Sequence, residues 1–161
     1  MDDLRITSFN VRGLNTPEKR HGVALLPKRH ATKILLLQET HYKGDRCFAL
    51  PGKQFAQSFH STYTASASRG VSILFHKTVS FICNSQYTGG EGRVLFLKGT
   101  INNKQITIAN LYAPNTDQAS WLISQLEVLK HFAVGQIILG GDINATLNPI
   151  LDSSTGRSQL P

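Results

Sequence analysis

Apolar runs along this chain stop, one after another, at a polar side chain. Arg5 to Val11 (RITSFNV) reads as a first strand, closed by Gly13, and Ile34 to Glu39 (ILLLQE) as a continuous apolar strand covered on both faces. Between them Thr16-Pro17-Glu18 predicts a helix start, with Thr16 as the cap and Pro17 in the first turn. That helix carries Val23, Ala24 and Leu26 inward, and Pro27 is expected to end or kink it. Further strands are expected over Gln57–Thr62, Val71–His76, Val79–Gln86, Val94–Ile101 and Gln105–Leu111, the last two joined by the tight hairpin chemistry of Asn102-Asn103-Lys104. Asn115 to Asp117 can cap a second helix running to about Phe132, with Trp121, Leu122, Leu126 and Leu129 near helical spacing. Gln136 to Asp142 is the final strand. A strand–helix–strand opening, a run of antiparallel strands, then helix and strand again predicts an α+β fold: a mixed, mostly antiparallel sheet with flanking helices.

The polar residues at the strand ends carry the candidate chemistry. Asn10 stands in SFNVRG, Glu39 in LLQETH, Asn110 and Tyr112 in NLYAPN, and Asp142 and Asn144 in GGDIN. Ligands of open α/β sheets gather beyond strand ends, so these groups are placed to converge on one cleft. Taken singly, each also fits a solvated strand end, a helix cap or a turn, and Tyr112 a half-buried packing residue.

Composition adds a partner class. The net charge is +7 over 161 residues, and the isoelectric point is near 9.7, which favours a polyanion, nucleic acid first. The densest basic stretch is KRHGVALLPKRH, from Lys19 to His30, and single cations follow it, among them Lys43 and Arg69. A solvated basic surface explains the same distribution equally well. With only Cys47 and Cys83 there is no disulfide framework, and a reducing compartment is the default. No apolar run approaches the roughly 18–20 residues of a membrane span, and MDDLRITSFN lacks a signal-peptide layout. The expectation is an intracellular protein, nuclear and cytoplasmic, with no membrane partner. The length fits one domain with an ordinary core.

Taken in order, N-x-x-G, Q-E-T-H, N-x-Y-A-P-N and G-D-x-N resemble the endonuclease/exonuclease/phosphatase superfamily. The local wording NVRGLN, LLQETHY, ITIANLYAPN and GGDINATL is most similar to the apurinic-type endonuclease domain of LINE-type (L1/Tx1-like) retrotransposons. The resemblance runs from about Ile6 to about Ser154. It implies a four-layer sandwich, Mg²⁺ (or Mn²⁺) as cofactor and DNA as partner. It also implies Glu39 as the metal ligand, Asn10 beside it or on the phosphate, Asp142 orienting the attacking water, Asn144 holding the scissile phosphate and Tyr112 donating to a phosphate oxygen. Arg12, Lys43 and Arg69 are candidate nucleic-acid contacts, and Arg12 stands where some relatives carry an acid or amide. His41 is expected to support the site without ligating, and Gly140 and Gly141 to let the backbone bend there. Hydrolysis of a phosphodiester needs this division of labour: charge neutralisation, a positioned water and a stabilised leaving oxygen.

One part of the pattern is absent. The family's Asp-His pair, written S-D-H, has no counterpart after Asn144, where ATLNPILDSSTGRSQLP contains no histidine, and Asp152 is expected in the loop after the strand. Residues 1–161 are therefore expected to be the N-terminal part of a single domain, incomplete as a sandwich, nicking DNA poorly and prone to self-association through an exposed sheet. In an intact element a reverse transcriptase would lie in the same polypeptide. The alternatives are a remnant that only binds nucleic acid and, against the YAPN and QETH wording, a phosphatase of the same superfamily acting on inositol phosphates or sphingomyelin.

Overall fold

A computed structural model describes residues 3–145, so the expectations for Asp152 and for the resemblance as far as Ser154 lie outside the described residues. In chain order the elements are β1 (Ile6–Asn10), α1 (Pro17–His30), β2 (Ile34–Gln38), β3 (Phe55–Ser61), β4 (Val71–His76) and β5 (Phe81–Thr88). They continue with β6 (Val94–Ile101), β7 (Lys104–Tyr112), α2 (Gln118–Phe132) and β8 (Gln136–Asp142).

The strands form two sheets of four, ordered β1-β2-β4-β3 and β5-β6-β7-β8. Each sheet has one parallel pair, β1 with β2 and β7 with β8, and all other pairings are antiparallel. A parallel pair needs a crossover, and each pair has a helix for it: α1 between β1 and β2, α2 between β7 and β8. The chain thus contains two strand–helix–strand units, one per sheet, with β1 of one lying against β8 of the other.

Period-two alternation distributes the apolar residues over three interfaces. Ile34 and Leu36 of β2, Val71, Ile73 and Phe75 of β4, Leu95 and Leu97 of β6, and Ile106 and Ile108 of β7 fill the space between the sheets. Leu35, Leu37 and Leu74 point the other way and pack with Val23 of α1. Val94, Phe96, Ala109 and Leu111 do the same against Leu129 and Trp121 of α2. Helix, sheet, sheet, helix is the expected four-layer sandwich.

Several local expectations change. Pro27 neither ends nor breaks α1, which continues to His30. The ring is buried within one turn of the helix end, and the Pro27 carbonyl still accepts from the Ala31 and Thr32 amides, so a single missing i→i−4 bond is tolerated. Thr16 caps α1 as expected, its hydroxyl accepting from the Lys19 amide. Asp117 precedes α2 in a left-handed conformation and makes no side-chain cap bond. The first turn of α2 thus has no side-chain acceptor from Asp117, and the Gln118 side-chain amide instead ties the turn back to the preceding loop by donating to the Asn115 carbonyl at 2.6 Å. Asn102 and Asn103 both have positive φ, as a two-residue hairpin between β6 and β7 demands. Phe9, Ile137 and Leu139 on the edge strands β1 and β8, and Ile143 just after, expose apolar surface. No helix among the described residues is long and apolar enough to cross a membrane.

Candidate active site

Four inward-facing rows begin apolar and end polar: Ile6-Ser8-Asn10 on β1, Ile34-Leu36-Gln38 on β2, Ile106-Ile108-Asn110-Tyr112 on β7 and Ile138-Gly140-Asp142 on β8. Because β1/β2 and β7/β8 are parallel pairs, the polar ends of each pair lie at the same edge, and the facing of β1 on β8 brings all four together. A cleft of about 560 Å³ opens there, lined by Asn10, Gln38, Asp142 and Asn144 among others.

Asn10 joins the two sheets across this cleft. Its amide nitrogen donates to Glu39 Oε1 and to Asp142 Oδ2, each at 2.8 Å, and its carbonyl accepts from the Arg12 amide at 3.1 Å. Both amide protons are spent on carboxylates, one from each sheet. The backbone holds this in place at strain: Arg12, Glu39, His41 and Asn144 all sit at φ between 48° and 58° without being glycine. Asp142 Oδ1 accepts from the Asn144 amide at 3.0 Å, and the Asn144 side chain donates to the Ala113 carbonyl at 2.7 Å.

Burial raises the Glu39 pKa, but donors at Asn10 and Tyr112 and the neighbouring His41 outweigh it, so the carboxyl lies below its ordinary value. His41 Nε2 is 3.5 Å from Glu39 Oε2. Tyr112 moves the other way: burial first, then the Glu39 carboxylate beside it, raise its pKa and keep the hydroxyl a donor. The Arg93 guanidinium lies 5.0 Å from the Tyr112 ring centre.

Directly beneath is a buried amide lock. Asn110, fully buried, accepts from Gln38 Nε2 at 2.7 Å and donates to the Leu37 and Ser72 carbonyls at 2.9 Å each, while Gln38 also reaches Ser8 Oγ at 3.1 Å. Asn110 therefore does not face the cleft as its position at a strand end predicts. It bonds β7 of one sheet to β2 and β4 of the other, one layer below the carboxylates. Gly140 allows the close approach: a Cβ there would come within 2.6 Å of Leu36 Cδ1. A Cβ at Gly141 (φ +142°) would collide with the Leu111 carbonyl, so this glycine permits the bend expected of it.

The model of the endonuclease/exonuclease/phosphatase family matches residues 7–157. The chain belongs to this family. Among solved structures, it is similar to the endonuclease domain of TRAS1, a telomere-specific non-LTR retrotransposon, at 18% identity over 89% of this chain and 60% of that one, with a TM-score of 0.62. It is also similar to truncated TDP2 from Caenorhabditis elegans (21% identity, 99% and 68% covered, TM-score 0.64). D. rerio TDP2 complexed with single-strand DNA product matches at 17% identity, with 88% and 60% covered and a TM-score of 0.64. At these identities the likeness establishes the fold. The chain spans about 60% of the length of the TRAS1 domain.

Nucleases of this family generally use divalent metal ions. Among the described residues no group of three from His, Cys, Asp and Glu stands close enough together to hold a metal ion by itself. What is built is an all-oxygen donor set, the Glu39 and Asp142 carboxylates bonded to one amide. That set fits Mg²⁺, which needs only one or two carboxylates and keeps several waters. Of the candidate nucleic-acid contacts, Arg12 and Lys43 are exposed, while Arg69 pairs with Glu91 at 3.2 Å and lies over the Tyr63 ring at 4.4 Å. Sequence reasoning missed Gln38 and Gln118 as site residues. Gln38 continues the inward row of β2, a signal legible in the alternation; Gln118, whose amide reaches the Asn144 carbonyl at 3.3 Å, carries no such pattern.

Proposed function

We propose that this protein hydrolyses DNA phosphodiester bonds as a Mg²⁺-dependent endonuclease of the retrotransposon type. The observation that carries the reading is the Asn10 amide shared by Glu39 and Asp142, which gathers one carboxylate from each sheet into a single cleft. In this reading Glu39, kept ionised by Asn10, Tyr112 and His41, would hold the metal. Mg²⁺, when bound, supplies neutralisation of phosphate and leaving-group charge. Asp142 orients the attacking water and takes its proton, with Asn144 fixing the carboxylate through its backbone amide. The second proton of the Asn144 side-chain amide donates to a phosphate oxygen, and the Tyr112 hydroxyl turns its single proton from Glu39 to another when substrate binds. Arg12 and Lys43, both exposed, supply contacts to the phosphate backbone in this reading, and Arg69 joins them on releasing Glu91. In an intact element the nick would prime a reverse transcriptase of the same polypeptide, in an intracellular protein of nucleus and cytoplasm.

Nicking of supercoiled plasmid with Mg²⁺ tests this. Asp142→Asn keeps the acceptor for the Asn144 amide but removes the base, and is expected to lower the nicking rate roughly 10²–10⁴-fold. Glu39→Gln is expected to abolish the Mg²⁺ dependence. Nicking that survives both substitutions unchanged refutes the assignment.

A further inference from the structure

A second cleft, about 740 Å³ and sharing no residue with the first, opens beside Glu39. Its size lies within the roughly 300–1,000 Å³ typical of ligand sites. His41 links the two, lining this cleft while its Nε2 touches the Glu39 carboxylate. Of its nine lining residues only Phe48 and Ala67 carry apolar side chains, and Phe48, 43% exposed, supplies the one large apolar ring. That ring is held in place: the Arg20 guanidinium lies over it at 4.4 Å, Tyr42 packs edge-on at 5.9 Å, and the Tyr42 hydroxyl donates to the Phe48 carbonyl at 2.8 Å. Lys43 and Arg46, both exposed and joined by a backbone bridge, line the same cleft, with Asp45 its only acid among the described residues.

An ordered aromatic surface beneath a cationic rim, one side chain away from a phosphodiester site, matches the chemistry of a nucleotide. The base stacks on the ring and the phosphate meets the cations. A base inside a duplex is stacked on both faces and cannot enter. We propose that this cleft holds an unpaired nucleotide of the DNA strand, adjacent to the phosphate bound at Asn10, Glu39 and Asp142. The proposal rests on the phosphodiesterase reading of the first cleft. An apolar peptide would use Phe48 but would have no need of Lys43 and Arg46, and its binding would be nearly insensitive to salt.

The test is binding of short single-stranded oligonucleotides carrying 2-aminopurine at successive positions, without metal so that nothing is cleaved. One position is expected to be quenched on binding. Phe48→Ala is expected to abolish that quenching and weaken single-strand affinity about tenfold, and Phe48→Trp to retain both. Lys43→Ala with Arg46→Ala is expected to reduce the salt slope by about 0.7 for each phosphate no longer neutralised. Quenching unchanged in Phe48→Ala overturns the proposal, as does an equal loss in Phe48→Ala and Phe48→Trp. Equal weakening of a blunt duplex by Phe48→Ala, or affinity that stays flat with salt, also overturns it. The nicking assay of Asp142→Asn is read separately, so failure of this cleft and failure of the catalytic reading are told apart.

Discussion

Replacing Asn110 by leucine removes three hydrogen bonds from the layer beneath the carboxylates while keeping the side chain's branched shape, although its methyls are bulkier than the oxygen and NH2 they replace and crowd a closed site. Gln38 Nε2 keeps its bond to Ser8 Oγ, but the Leu37 and Ser72 carbonyls each lose a donor in a place closed to water. At roughly 1 kcal/mol net per bond, and more for a buried group left unpaired, the loss is about 3–5 kcal/mol. Burying the leucine methyls returns about 1–2 kcal/mol, leaving a net destabilisation of about 1–4 kcal/mol. Urea unfolding followed by circular dichroism reads this directly. With m about 2 kcal/mol/M, typical for small proteins, the midpoint falls by about 0.5–2 M at unchanged m. The pair Asn110→Leu and Gln38→Leu forms a double-mutant cycle, and their hydrogen bond at 2.7 Å predicts a coupling of about 1 kcal/mol. The same variant frees the two sheets to shift, so Mg²⁺-dependent nicking is expected to fall further than stability alone explains. A midpoint within about 0.2 M of the parent chain, or strictly additive single variants, would show that Asn110 is a passenger in the core and refute the reasoning.

Gly140→Ala places a methyl against Leu36 Cδ1, a leucine tip that can give way only into a packed core, so a loss of about 1–3 kcal/mol in the same unfolding assay is expected. Burial lowers the His60 pKa from its ordinary 6.5 to about 4. The unfolded chain therefore takes up the proton first, and stability is full above pH 6.5 and falls by up to about 3 kcal/mol as pH drops to about 4. His60→Phe should flatten that part of the pH–stability curve. DNA binding by a chain of net charge +7 should weaken linearly in log[salt], with slope near −0.9 per phosphate contacted on duplex, and a flat titration by fluorescence anisotropy would count against it.

Much of the layout is written locally. Thr16-Pro17 starts α1, Asn102-Asn103 sets a two-residue hairpin, and the apolar runs of β2, β4, β6 and β8 fall within a residue of their observed ends. Local signals suffice there because caps and turns are chosen by residues next to one another. The polar ends at Asn10, Glu39, Tyr112, Asp142 and Asn144 were legible for the same reason, as breaks in an alternation that otherwise runs apolar. Three things were decided only by tertiary structure. The division of eight strands into two sheets depends on pairings across the whole chain, and alternation says which face a residue takes without saying what lies opposite. Pro27 stays helical because its burial outweighs the single bond it forfeits. Asn110 and Asn10 look alike in sequence, each an asparagine near the end of a strand, yet Asn110, two residues short of the end of β7, is sealed between the sheets, and Asn10, the last residue of β1, spans the cleft. The difference is position in the sheet: β7 is an inner strand, walled by β6 and β8, whereas β1 is an edge strand whose end is open to solvent.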